Sequence, residues 1–113
     1  MLQKELFALL GWGEAKTEAA RNEWSGSEMA SGDTIEVSTE LSGARLNVLS
    51  WRKNRDTGAR QETLRAIFEP IKQGSIEWEL LAARVNGIPC PLKETEAVAL
   101  FEAARAVARG PKR

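Results

Sequence analysis

Apolar and polar residues alternate most clearly between positions 34 and 52. A two-residue turn at Ser42-Gly43 would pair Leu41 with Ala44, Thr39 with Leu46, Val37 with Val48 and Ile35 with Ser50. That register gathers Ile35, Val37, Leu41, Leu46 and Val48 on one face. The other face receives Glu36, Ser38, Glu40, Arg45, Asn47, Leu49 and Trp51, with Glu40 opposite Arg45. A slip of one residue would break both the apolar face and the charge pair, so the pattern predicts an antiparallel hairpin over about 34–52.

Elsewhere the spacing is helical. Leu2, Leu6, Phe7, Leu9 and Leu10 form a short N-terminal stripe, and Glu14 to Trp24 carries a thinner one of Ala15, Ala19, Ala20 and Trp24. Residues 25–33 are small, polar and without period, and read as a mobile loop. Leu64, Ile67, Phe68 and Ile71 recur at i, i+3, i+4 and i+7 behind Asp56 or Thr57 as N-cap, which predicts a helix from about 58, ended or kinked by Pro70. The rival reading, a third strand over 59–66, would set Arg52 beside Arg60.

Ser75 as N-cap, the stripe Trp78, Leu81, Ala82, Val85 and the close at Asn86-Gly87 predict a helix over 75–87, although Ile76, Trp78 and Leu80 also alternate as a strand would. A helix over 93–109 presents Ala97, Val98, Leu100, Phe101, Ala104, Val107 and Ala108, with Gly110-Pro111 as its stop. The expected fold is therefore α+β: a small single domain spanning 1–113, with N-terminal helices, a hairpin, and two or three C-terminal helices.

Two partial likenesses arise near residue 85. Ala83, Gly87 and Ile88 fall at spacing that resembles a helix-turn-helix, but Pro89-Cys90-Pro91 occupy the place of the recognition helix, and a plain helix end explains Asn86-Gly87 as well. Were 75–91 a hairpin, the order helix, sheet, helix, sheet, helix would resemble type III secretion chaperones, which are dimeric effector-binding proteins, in topology alone.

Composition narrows the chemistry. The chain has 113 residues, one Cys and no His, so Ser-His-Asp and Cys-His catalysis and structural zinc are excluded by counting. No cofactor or metal is expected, and the chain is not expected to be an enzyme. The carboxylate pairs, such as Glu14 with Glu18, are explained by helix starts. Cys90 between two prolines reads as a small apolar filler. No run approaches the ~18 uncharged residues of a membrane span and no cleavage pattern follows an apolar stretch, which predicts a cytoplasmic, reduced protein.

Equal numbers of acidic and basic groups, 16 each, conceal segregation. Residues 1–43 are net −5, 44–65 net +4, 66–100 net −2 and 101–113 net +3. Trp78 fits the apolar stripe of its element, whereas Trp12 between two glycines and Trp51 on the polar hairpin face are harder to bury by pattern. Surplus aromatics and segregated charge point to a non-catalytic protein-binding module, a small adaptor, chaperone or inhibitor. Trp12, Leu49 and Trp51 are its candidate interface, and the partner is another protein or a second copy in a homodimer. The alternative is nucleic-acid binding through the basic hairpin end at 45–60, with Arg45, Arg52, Lys53, Arg55 and Arg60 on phosphates and Trp51 stacking on bases.

Overall fold

The computed structural model describes residues 1–11, 20–27 and 30–108. Its elements run α1 (Gln3–Leu9), β1 (Ala20–Ser27), β2 (Thr34–Ser42), β3 (Arg45–Lys53), β4 (Arg60–Pro70), β5 (Trp78–Val85), β6 (Ile88–Pro89) and α2 (Glu94–Ala108). The six strands form one antiparallel sheet in sequence order, β1-β2-β3-β4-β5-β6. Such a meander needs only short connections, and each strand pairs with the strand that follows it in the chain.

The architecture corrects the helix-rich expectation: the described residues are mostly sheet, with two helices among them. The predicted helix from 58 is β4, and the predicted helix over 75–87 is β5 with the start of a hairpin. Residues 20–24 of the second N-terminal stripe belong to β1, while 14–19 lie outside the described residues. Because 60–70 is a strand, no helix divides the sheet. The topology that resembled type III secretion chaperones is therefore absent, even though 75–91 does contain a hairpin.

The hairpin of β2 and β3 forms with a shifted register. The turn falls at Gly43-Ala44, and Leu41 faces Leu46, Thr39 faces Val48, Val37 faces Ser50 and Ile35 faces Arg52. A partner shift of two residues keeps every side chain on its predicted face, so face patterning cannot detect it. It places Leu41 against Leu46, both buried. The expected Glu40–Arg45 pair is replaced by Arg45 with Glu69 of β4, 3.4 Å apart.

β4 reads as a strand because Leu64, Ala66 and Phe68 alternate inward, and all three are buried. The like-charge objection to it is answered by tertiary partners. Lys53 does face Arg60, but Arg60 lies 2.7 Å from Glu36. Arg52, opposite Gln61, is held by Asp33 at 2.8 Å.

At the end of β5, Asn86 and Gly87 have φ of 53° and 81° and join Val85 to Ile88. Positive φ at both central residues is what a type I′ hairpin turn requires, and Asn-Gly is the dipeptide that best tolerates it. The same two residues would suit a helix end, which is why the sequence pattern was ambiguous there.

One face of the sheet carries the core. Val37, Leu41, Leu46, Val48, Leu64, Ala66 and Phe68 bury against Leu6, Phe7 and Leu10 from the α1 region and Ala97, Val98 and Phe101 of α2. Phe7 meets Trp78 edge-on at 5.3 Å, and Trp24 meets Phe101 at 6.1 Å. β1 passes the end of α2 at Gly26, where a Cβ would run into the Ala108 carbonyl oxygen. α2 begins and ends close to its predicted bounds, but Leu100 and Val107 of the predicted face are exposed. With the buried core on one face, alternate residues of the strands are left on the other.

Candidate functional site

That second face is laced with ion pairs. Arg60 bridges Glu36 and lies 5.2 Å over the Trp51 ring, Arg65 meets Glu62 at 2.8 Å, and Arg45 meets Glu69. The long side chains leave Trp51 and Leu49 half-buried beneath them. Trp12, the third candidate interface residue, lies outside the described residues. Glu23, Glu36, Ser38, Trp51 and Arg60 border a cavity of about 400 Å³, in which the buried Ser38 hydroxyl has no hydrogen-bond partner.

At the sheet end, the basic residues are also engaged. Asp33 accepts from Arg52 Nε at 2.8 Å and from the Arg55 main-chain N–H at 3.0 Å. The Arg52 hydrogen bond, followed by that from Arg55, holds the Asp33 carboxyl below its ordinary range. Arg52 Nη2 also donates to Ser31 Oγ at 3.2 Å, so this loop is tied to β3. Arg55 reaches Asp56 at 3.4 Å. Asn54 Oδ1 accepts the N–H groups of Asp56 and Thr57, both at 2.9 Å, which shapes the β3–β4 turn.

Of the five cations proposed for phosphate binding, Arg45, Arg52, Arg55 and Arg60 therefore have a carboxylate within 4 Å. Lys53 is the exception among the described residues. A phosphate at the other four would have to displace a carboxylate, which cuts the counterion release that drives nucleic-acid binding.

A different surface emerges along β5. Its first residues are covered by the N-terminal segment: the Trp78 N–H donates to Met1 O at 2.8 Å, and the Gln3 N–H to Ile76 O at 2.7 Å. Its last residues pair with β6, and the Cys90 N–H donates to Ala83 O at 2.9 Å. Between these contacts, no strand among the described residues pairs with Glu79–Ala82 on that side. Pro89 and Pro91 lack the N–H that would continue the ladder, so β6 stops after two residues.

The result is an apolar groove of about 390 Å³ between the β5 edge and the strap 89–92, lined by Leu80, Leu81, Ala82 and Ala83 on one wall and Pro89, Cys90, Pro91 and Leu92 on the other. Leu81 is 48% exposed, Ile88 67% and Ile76, at the start of the edge, 69%. Sequence reading missed this surface because it placed 75–87 in a helix. Asn-Gly between alternating residues, followed by Pro-x-Pro, was the available signal of a hairpin with a truncated edge.

The helix-turn-helix spacing of Ala83, Gly87 and Ile88 belongs to this hairpin and carries no recognition helix. Among the described residues, no group of three or more Cys, Asp and Glu side chains is arranged to hold a metal ion, and no helix is long and apolar enough to cross a membrane. Comparison with protein-family models, with curated proteins and with solved structures found no match.

Proposed function

We propose that this protein is a non-catalytic protein-binding module that takes an extended apolar segment of its partner along the bare edge of β5. The observation that carries this reading is the coincidence of an incompletely paired strand edge with an apolar groove and the exposed side chains Leu81 and Ile88. An unpaired edge offers main-chain hydrogen bonds, and adjacent apolar pockets select alternate side chains of the added strand. Leu49 and Trp51, half-buried under ion pairs, lend less apolar area than this edge.

The test is capture of partners from nuclease-treated lysate of the native host by the full chain and by a Leu81→Ser, Ile88→Ser variant. Both side chains are exposed, so circular dichroism and the melting transition should be unchanged while the captured protein is lost. Recovery that survives the double substitution, or that vanishes with nuclease in the parent protein, would refute the reading. The second outcome would favour the nucleic-acid alternative.

A further inference from the structure

Arg65 and Arg84 stand directly opposite one another on β4 and β5. Like charges in that relation repel, and a neighbouring acid ordinarily offsets them. Here a single carboxylate is at hand: Glu62 accepts from Arg65 Nε at 2.8 Å. Arg84 is exposed, has Arg65 on one side of the ladder and Pro89 on the other, and forms no ion pair with a described residue. The two arginines, Glu62, Ile67, Ala82 and Ala83 border a cavity of about 440 Å³. Ala82 and Ala83 also line the groove on the β5 edge, so the charged cavity and the apolar groove share one strand.

Two guanidinium groups against one carboxylate leave one positive charge to be met. The planar fork of arginine matches a carboxylate, which can bridge two such groups with short, charge-assisted hydrogen bonds. The retained Glu62 and the apolar side chain of Ile67 disfavour a dianion and suit a single negative charge on an apolar stem. We propose that Arg65 and Arg84 together receive a carboxylate side chain of the protein partner, so that the segment laid along β5 carries an aspartate or glutamate among its apolar residues. This rests on the protein-binding reading and specifies the chemistry of the partner.

The test follows amide and arginine Nε–H resonances of the full chain during titration with capped Leu-Glu-Val, capped Leu-Gln-Val and inorganic phosphate. The glutamate peptide should shift the Ala82, Ala83 and Arg84 signals with affinity about tenfold above that of the glutamine peptide, as expected for a charged hydrogen bond. Arg84→Gln should abolish the difference without altering the melting transition. Equal shifts of Ala82 and Ala83 by both peptides would overturn the carboxylate assignment and leave the protein-binding reading standing. Failure of either peptide to perturb the groove residues would count against both. Phosphate binding more tightly than the glutamate peptide at the two arginines would overturn the choice of a carboxylate.

Discussion

The two faces of the sheet are built from alternate residues of the same strands, yet they hold the protein together by different means. On the covered face, Val37, Leu46, Val48, Leu64 and Phe68 are almost wholly removed from water against Phe7 and Phe101. Burial of a large apolar side chain contributes roughly 1.5–3 kcal/mol. On the opposite face, Arg60–Glu36, Arg65–Glu62 and Arg45–Glu69 remain partly solvated, and pairs of that kind contribute about 0–1 kcal/mol each. Stability therefore resides on the covered face. Substitutions among the ion-paired side chains or the exposed residues of the β5 edge should therefore cost the fold little.

The contrast can be broken most severely from the covered side. Phe68→Ala should cost about 3–5 kcal/mol, through lost burial and the cavity left in the core, read as a lower urea midpoint. If the loss were below about 1 kcal/mol, Phe68 would not be part of a packed core.

At the β5–β6 turn, Gly87→Ala forces a Cβ into left-handed backbone at φ 81° and should cost about 1–2 kcal/mol by the same measurement. The hairpin predicts that the amide signals of Arg84, Val85 and Ile88 shift most, and a perturbation spread along 75–83 would contradict it.

Glu36→Gln should cost less than about 1 kcal/mol, and the difference from the parent protein should shrink further in high salt, because the pair it removes is exposed. A larger, salt-insensitive loss would mean that the Arg60–Trp51 arrangement is structural.

The smallest effect concerns acid. Asp33 has its pKa lowered in the folded state by Arg52 and Arg55, so its contribution is present above the ordinary carboxylate range and is lost as pH falls through the folded value. Asp33→Asn should lower the melting temperature slightly at neutral pH and bring the two proteins together in acid. A gap that persists unchanged at low pH would show that the hydrogen-bond geometry, not the charge, is what Asp33 supplies.

Legibility in the sequence divided along the range of the interactions. The β2–β3 hairpin and α2 were readable because their patterns are local: alternation around a turn, and a broad apolar stripe ending before Gly110-Pro111. β4 was not, because Leu64, Ile67 and Phe68 satisfy a helical period while Leu64, Ala66 and Phe68 satisfy an alternating one. The carboxylates that relieve the cations where β3 meets β4, Asp33 for Arg52 and Glu36 for Arg60, both precede β3 in the chain. The candidate interface suffered in the same way. Trp51 looked surplus to the core, but Arg60 comes from the next strand to cover it, and Leu81 and Arg84 were assigned to a helix that does not form.

By itself the sequence determined which residues are apolar, which face of the hairpin is buried, where α2 lies, and that His-dependent chemistry is absent. Those properties depend on residue identity and on spacing within a few positions. The tertiary structure alone decided that 60–70 and 78–85 are strands, that the β2–β3 register is shifted by two residues, and that, among the described residues, no strand pairs with Glu79–Ala82 on the outer side of β5 and no carboxylate pairs with Arg84. A short apolar segment of ambiguous period takes the conformation that pairs its backbone and satisfies its charges with neighbours distant in the chain, and those neighbours are brought into place only by the completed sheet.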